Sequence, residues 1–313
     1  MQHSTNPNRR RVLLAGASLV PALAVSGLPR IAGAQSQALL TKKIPSSGET
    51  IPIIGLGTAR RYDSAGTPEE QKRLLETLRR FGALDATVID TAPVYGNAEQ
   101  VVGELVAELK LRDKLFLATK VSTGGGRQAG SAQIEGSFKR LRTSKIDLIA
   151  VHNLRGTDIH LPTLRELKAA GRICYVGITT SFDGQYADFE AAMQRERLDF
   201  IQVDYALDNR DAGARILPLA ADRGMAVMVN LPFGRGRLFR AVQGKALPPW
   251  AADFDVTTWP QFFLKYIVSH PAVTCAIPGM ARPEYVEDNL GAARGRLPDA
   301  AQRQRMETFI DAL

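Results

Sequence analysis

The stretch "TVIDTAPVYGNAEQVVGELVAELKLRDKLFLATK" (residues 87–120) holds one complete strand–helix–strand unit. It begins with the short run TVID (87–90) and ends with the apolar run LFLATK (115–120). Between them, NAEQVVGELVAELK (97–110) repeats apolar residues at the spacing of an amphipathic helix. The two runs are continuously apolar up to a charged last residue, as expected of parallel strands buried on both faces. The stretch therefore predicts a βαβ unit.

The same alternation continues along the chain and predicts the fold. The predicted strands are 53–57, 87–90, 115–120, 146–152, 173–178, 200–204, 225–230 and 274–277. No GxGxxG sequence follows the first of them, which disfavours a doubly wound dinucleotide-binding sheet. Eight strand–helix units in roughly 260 residues favour an α/β fold of the (β/α)8 TIM barrel type. Residues 39–52 alternate around a Ser-Gly turn and predict an N-terminal hairpin that closes the barrel floor.

The charge of the chain gives little reason to expect a nucleic-acid partner. The 313 residues are 45% hydrophobic and 23% charged, and the net charge is +8. Residues 1–34 contain four arginines and no Lys, Asp or Glu, so the rest of the chain carries +4. No basic patch is interleaved with aromatic residues, so we predict no nucleic-acid binding.

The first 34 residues have the pattern of an export signal. Three arginines (9–11) precede an apolar run (12–28), and the small residues AGA (32–34) follow. This order predicts a cleavable signal peptide over residues 1–34, with the cut before Gln35. Residues 35–313 are then a single barrel domain.

The paired arginines Arg9 and Arg10 resemble the twin-arginine class of bacterial signals. They predict recognition by that export machinery and a periplasmic protein. The apolar run is interrupted by Pro21 and falls short of the roughly 20 residues of a membrane span. An uncleaved signal that anchors the protein to the membrane stays open as the alternative.

Polar residues stand at the ends of three successive predicted strands. They are Asp90, Lys120 and His152, and Tyr95 lies in the loop just after Asp90. In a TIM barrel such positions face one mouth, where active sites form. Taken separately, Asp90 could cap a helix, Lys120 could be a solvated strand end, and His152 could be a core histidine. Their coincidence at neighbouring strand ends favours an active site.

These four residue types suit proton transfer to a carbonyl. A free tyrosine has a pKa near 10, and a neighbouring ammonium such as that of Lys120 stabilises its phenolate. A buried carboxylate, Asp90, would keep the lysine charged and oriented. A histidine near the same oxygen, His152, could relay a proton or position the carbonyl. The set predicts protonation of a carbonyl oxygen as hydride reaches the carbon, or the reverse.

Four motifs in this order resemble the aldo-keto reductase superfamily. They are IDTAPVYGNAE (89–99), LATK (117–120), SFKRLRTSKIDLIAVHN (137–153) and IPGMARPEYVEDNL (277–290). The similarity covers residues 40–297. It implies a TIM barrel, NADPH as the hydride donor with NADH as an alternative, Tyr95 as the general acid, and a His152 that orients the substrate carbonyl.

The resemblance also implies a set of cofactor-binding residues. Gln202 matches the glutamine that contacts the nicotinamide amide, Thr179 and Thr180 replace a common Ser-Asn pair, and Asn230 stands where many members have an aromatic residue. The segment that resembles the pyrophosphate-binding loop supplies Pro232, Gly234, Arg235 and Gly236. The segment that resembles the adenosine-phosphate loop supplies Gly279, Arg282, Asp288 and Asn289.

Other catalytic classes find little support in the sequence. His152, His160 and His270 form neither an HxH nor an HExxH pattern, so we predict no metal site. There is no GxSxG nucleophile elbow. The prediction is a monomeric NADPH-dependent oxidoreductase that reduces aldehydes or ketones to alcohols, or catalyses the reverse. The alternative is a non-catalytic nucleotide-binding sensor or partner subunit that retains the barrel.

Overall fold

The computed structural model describes residues 38–63 and 66–313. The signal peptide expected over residues 1–34 lies outside the described residues. The strands are β1 (Thr41–Lys43), β2 (Thr50–Pro52), β3 (Leu56–Gly57), β4 (Val88–Asp90), β5 (Phe116–Val121), β6 (Ile146–Val151), β7 (Ile173–Thr179), β8 (Phe200–Asp204), β9 (Ala226–Asn230) and β10 (Cys275–Ala276).

Helices follow the strands in alternation, as the sequence predicts. The α-helices are α1 (Pro68–Ala83), α2 (Ala98–Glu108), α3 (Arg127–Arg140), α4 (Thr157–Ala169), α5 (Tyr186–Arg195), α6 (Ile216–Asp222), α7 (Arg237–Ala241), α8 (Trp259–Val268), α9 (Pro283–Gly291) and α10 (Ala300–Asp311). Within the described ranges, no helix has the length and apolar character needed to cross a membrane.

Strands β3 to β10 form one parallel sheet in sequence order. Its two ends meet, because the backbone N–H of Gly55 donates to Ala276 O (2.9 Å) and that of Ala276 donates to Ile53 O (2.9 Å). Gly57 N also donates to Pro278 O at 2.9 Å. A curled sheet whose first and last strands bond to each other has no free edge. This architecture agrees with the predicted (β/α)8 barrel.

Helix α1 illustrates how the local sequence specifies these elements. The Thr67 side chain accepts a hydrogen bond from Glu70 N, and Pro68 occupies the first turn, where its missing N–H costs nothing. The apolar residues then recur on one face. That face buries Leu74, Leu78 and Phe81 against the sheet and its neighbours.

The N-terminal hairpin is present as an antiparallel pair of β1 and β2. Its Ile44 and Ile51 are fully buried in a cluster with barrel residues such as Phe116 and Phe200. The Tyr175 hydroxyl of β7 bonds the hairpin at Ser47 Oγ (2.7 Å) and at the Glu49 carboxylate. That the hairpin closes the barrel floor stays a prediction.

The strand ends bring the predicted site residues to one edge of the sheet. Asp90 is the last residue of β4, Lys120 lies one residue before the end of β5, and His152 directly follows β6. Gln202 lies near the end of β8, and Asn230 is the last residue of β9. Because all these strands are parallel, their carboxyl ends surround the same mouth.

Candidate active site

A buried ion pair lies at the centre of the mouth. The Lys120 side chain is 1% exposed, and its Nζ donates to both carboxylate oxygens of Asp90 at 2.8 Å. A third bond reaches the carbonyl oxygen of Thr91 at 2.9 Å. All three ammonium protons therefore have acceptors, which offsets the several kcal/mol that burying an unpaired charge costs.

Gln202 completes the surroundings of this pair. Its Nε2 donates to Asp90 Oδ1 at 3.0 Å from β8, across the barrel from β4. The carboxylate is thus held by a lysine and an amide at once, which restricts its orientation. The predicted contact of Gln202 with a nicotinamide amide stays a prediction.

Tyr95 lies over the ion pair. The Lys120 Nζ is 5.1 Å from the centroid of its ring. The His152 ring meets it edge-on, with centroids 5.8 Å apart and planes at 83°. Gly96 follows with a φ of +55°, and an added Cβ there would come within 3.0 Å of Asp63. The turn after β4 therefore needs this glycine to set the direction of the tyrosine.

Burial and charge act on the tyrosine in opposite directions. Burial raises the pKa of Tyr95, the Lys120 ammonium lowers it and the Asp90 carboxylate raises it, with a net increase. For Lys120, burial lowers the pKa, but Asp90 and Tyr95 outweigh it, so the pKa of Lys120 is raised. At neutral pH the phenol keeps its proton and the lysine its charge. A protonated phenol beside a fixed cation is suited to donate a proton.

His152 is neutral at physiological pH. Burial, Lys120 and Arg155 together lower its pKa to about 3. Its Nδ1 is buried and has no hydrogen-bond partner among the described residues. A ring that does not take up a proton above pH 3 favours positioning of a carbonyl over proton relay.

The backbone after His152 is strained. Asn153 and Leu154 have φ values of +50° and +58°, and such left-handed residues cluster at functional sites. Asn153 is held by a bond from its backbone N–H to Thr179 Oγ1 at 3.1 Å. The loop is thereby fixed to the neighbouring strand β7.

Three of the four catalytic candidates line an open cleft of about 820 Å³. Asp90, Tyr95 and His152 form its base. The predicted cofactor residues that also line it are Gln202, Asn230, Pro232, Arg235, Gly236 and Gly279. The cleft is thus lined by three of the four candidate catalytic residues and by half of the predicted cofactor set, while Lys120 lies buried behind Asp90.

Gly234 adjoins this cleft rather than lining it. Its φ is +55°, and an added Cβ would come within 2.2 Å of Asp208 Oδ2. No other residue fits there without displacing the Asp208 carboxylate, which Arg237 Nε binds at 2.8 Å. The loop 231–236 therefore depends on this glycine.

Arg282 lies at a second, smaller cavity of about 300 Å³ next to Gly279. Arg60, Arg61 and Arg73 share its lining, together with Asp63 and Glu70. Four arginines around one cavity give it a cationic surface suited to a phosphate group.

Three of the remaining predicted residues have internal side-chain partners. Thr180 Oγ1 donates to Gln185 Oε1 at 2.8 Å, and Thr179 Oγ1 accepts from Asn153 N. Asp288 Oδ1 accepts from Thr258 Oγ1 at 2.6 Å and from Gln261 Nε2 at 3.0 Å, which joins α9 to α8. Asp288 and the buried Asn289 line neither cavity, and their predicted place in an adenosine-phosphate loop stays a prediction.

Several residues of the cleft were not predicted from the sequence. They include Arg60, Arg61, Asn153, Ser181 and Phe182. Each lies within a few residues of the end of a barrel strand. That position was the signal that could have identified them, because barrel sites form from such loops.

Comparison with known families identifies the chain. Residues 53–308 match the aldo/keto reductase family. The chain belongs to this family. The match spans the whole barrel, and as an aldo-keto reductase the protein is an oxidoreductase.

Individual aldo-keto reductases are similar over most of the chain. Methylglyoxal reductase YeaE of Escherichia coli (strain K12) is 31% identical over 270 residues, which cover 83% of this chain and 92% of that protein. A crystal structure of a Klebsiella pneumoniae aldo-keto reductase in complex with NADPH has a TM-score of 0.71 and 25% identity. The matched region covers 88% of this chain and 95% of the Klebsiella pneumoniae chain. A second Klebsiella pneumoniae structure, in complex with NADP and acetate, has a TM-score of 0.70 and 25% identity over 84% of this chain and 93% of its own.

Proposed function

We propose that the protein reduces aldehydes or ketones to alcohols with NADPH, or catalyses the reverse, with Tyr95 as the general acid. The observation that carries this proposal is the position of Tyr95 between the Lys120 ammonium and the neutral His152 ring. A protein that only binds a nucleotide has no need for a buried ion pair beneath a tyrosine.

The chain's own residues account for the proton transfer. The Tyr95 hydroxyl donates its proton to the carbonyl oxygen, and the Lys120 ammonium stabilises the phenolate that remains. Asp90 holds that ammonium in place through two bonds of 2.8 Å. His152, whose neutral ring lines the cleft beside Tyr95, positions the carbonyl. NADPH, when bound, supplies the hydride for the carbonyl carbon.

The residues of the cleft are suited to hold this cofactor. Asn230 Nδ2 donates to Thr180 O at 3.1 Å, and its Oδ1 is buried without a partner among the described residues. A nicotinamide amide N–H would satisfy that acceptor. The loop with Gly234 and Arg235 would hold the pyrophosphate, and the arginine-lined cavity would hold the adenosine phosphate. The four arginines support NADPH over NADH, which stays the alternative.

A panel of carbonyl compounds with NADPH and with NADH tests the function. Methylglyoxal belongs in the panel because a similar protein is named as its reductase. We expect carbonyl-dependent oxidation of NADPH that is faster than that of NADH. Binding of NADPH without turnover of any carbonyl would instead support the alternative of a nucleotide sensor or partner subunit.

We also propose that residues 1–34 are a cleavable twin-arginine signal and that residues 35–313 form a monomeric domain in the periplasm. The arginine-rich start, the apolar run and the AGA sequence support this proposal. Export by this route would deliver a folded protein, with its nucleotide already bound.

We further propose that the N-terminal hairpin closes the barrel floor. The burial of Ile44 and Ile51 among barrel residues supports this role. The Tyr175 hydroxyl adds two hydrogen bonds from inside the barrel to the hairpin.

A further inference from the structure

Large apolar side chains are exposed around the catalytic cleft. In the described part of the chain, six such side chains are more than a third exposed, and Val94, Phe182 and Phe239 among them line this cleft. Their exposed fractions are 49%, 53% and 38%. Apolar surface gathered at one place on a protein marks a binding site.

The three residues come from three loops on different barrel strands. Val94 follows β4, Phe182 follows β7, and Phe239 lies on α7 after β9. They therefore surround the mouth rather than form a stripe on one element. A ligand that reaches the base of the cleft passes between them.

Two of them are tied directly to the catalytic candidates. Val94 precedes Tyr95 in the chain. Phe182 follows Ser181, whose Oγ donates to Asn153 Oδ1 at 3.5 Å, and Asn153 follows His152. Val94 and Phe182 therefore line the cleft next to the two residues that would hold the carbonyl.

The rings differ in how firmly they are held. Phe239 packs against Phe233, with centroids 4.9 Å apart, and against Phe263 at 5.6 Å. The backbone of Phe182 is fixed by a bond from its N–H to Thr180 Oγ1 at 3.2 Å, while its side chain stays exposed. The Phe239 ring is therefore held rigidly by its neighbours, whereas the exposed Phe182 ring is free to cover a flat ligand.

We propose that the preferred substrates are carbonyl compounds with an aromatic substituent, which lies between Phe182 and Phe239 with Val94 beside the carbonyl. This inference rests on the proposed function and names its substrate class. Aromatic ligands gain from both burial and ring contacts in such a site. A small carbonyl compound would leave these side chains exposed.

The test compares 2-naphthaldehyde with acetaldehyde as substrates of the wild type and of the variant Phe182→Ala. We expect the wild type to have at least tenfold higher kcat/KM for 2-naphthaldehyde. In Phe182→Ala this value should fall about tenfold, chiefly through KM, with acetaldehyde changed less than twofold. Ile159→Ala, which truncates a 40% exposed apolar residue outside the cleft lining, is the matched control and should change neither.

Other results would overturn the inference. Equal kcat/KM for the two aldehydes in the wild type would do so. An equal loss of kcat/KM for both aldehydes in Phe182→Ala would also overturn it. So would weaker NADPH binding in that variant with an unchanged ratio of the two kcat/KM values, because Phe182 would then contact the nucleotide.

A calorimetric titration separates this inference from the proposed function. 2-Naphthylmethanol and ethanol are each titrated into the protein saturated with NADP⁺. If neither aldehyde is turned over but 2-naphthylmethanol binds at least tenfold more tightly, the aromatic site stands and the proposed function fails. If acetaldehyde is turned over and 2-naphthylmethanol does not bind more tightly, the function stands and the aromatic site is refuted.

Discussion

Two opposing effects act on the pKa of Tyr95. Burial raises it and keeps the hydroxyl protonated, whereas the Lys120 ammonium lowers it and favours loss of the proton. A general acid contributes about 10²- to 10⁴-fold to a rate. Tyr95→Phe removes the hydroxyl that would donate the proton and keeps the aromatic ring. We therefore expect kcat for carbonyl reduction to fall by about that factor. NADPH affinity, measured by fluorescence titration, should change little. Retained activity would assign the proton to another group.

The Asp90–Lys120 pair is a second prediction at the residue scale. Asp90→Asn leaves the buried ammonium without its anion, and breaking a buried pair costs about 3–5 kcal/mol. We expect the free energy of unfolding, measured in urea, to fall by that amount, together with activity. The double variant Asp90→Asn/Lys120→Met removes the unpaired charge, so it should recover stability and stay inactive. Stability that is unchanged in Asp90→Asn would contradict the pairing.

His152 predicts a dependence of stability on pH. Its pKa is about 3 in the folded protein and near 6.5 in the unfolded chain, so below pH 6.5 the unfolded chain binds a proton that the folded protein does not. This favours unfolding as the pH falls from 6.5 towards 3. At pH 5 the loss is about 2 kcal/mol relative to pH 7.5.

The variant His152→Gln cannot take up this proton. Between pH 7.5 and pH 5, its free energy of unfolding should therefore fall by about 2 kcal/mol less than that of the wild type. Any loss of stability that the substitution causes equally at both pH values cancels in this comparison. Identical pH dependence in the two proteins would show that the ring is protonated in the folded state.

At the scale of elements, the hairpin and the barrel meet through the Tyr175 hydroxyl. Tyr175→Phe removes its bonds to Ser47 and Glu49, and a hydrogen bond to a charged group contributes about 1.5–3 kcal/mol. We expect faster amide hydrogen exchange in β1 and β2, with β5 to β8 unchanged. Tyr62→Phe is the control, because the Tyr62 hydroxyl is buried without a partner among the described residues. Equal exchange in both variants would argue against the hairpin's proposed role.

At the scale of the whole molecule, the first 34 residues predict where the protein is found. Replacing Arg9 and Arg10 together by Lys keeps the charge but removes the twin-arginine pattern. We expect the unprocessed chain to accumulate in the cytoplasm, while the wild type in the periplasmic fraction begins at Gln35. Immunoblots of the two fractions and N-terminal sequencing check this. An intact wild-type N-terminus in the membrane fraction would support the uncleaved anchor instead.

The order of strands and helices could be predicted from local sequence, but their lengths could not. The first and last barrel strands were predicted as 53–57 and 274–277, and they are Leu56–Gly57 and Cys275–Ala276. Around them, Ile53, Gly55 and Pro278 still take part in the backbone bonds that join the two ends of the sheet. Strand length is set by which partner backbone lies alongside, and the apolar pattern of one strand does not contain that information.

The hydrogen-bond partners of individual side chains could likewise not be predicted from the sequence. Asp288 was predicted from a motif, yet the contacts of its Oδ1 with Thr258 and Gln261 depend on how α9 packs on α8. The strained backbone of Asn153 and the exposure of Phe182 at the mouth also follow from packing. None of these has a local signal stronger than proximity to the end of a strand.

By itself, the sequence determined the alternation of strands and helices and the chemical types at their ends, because periodicity and the order of residues are local properties. It thereby identified Asp90, Tyr95, Lys120 and His152 as candidates. Only the tertiary structure decided that burial raises the pKa of Tyr95 despite Lys120 and keeps His152 neutral. Desolvation and charge–charge interactions depend on distances between residues far apart in the chain, and the fold alone sets those distances.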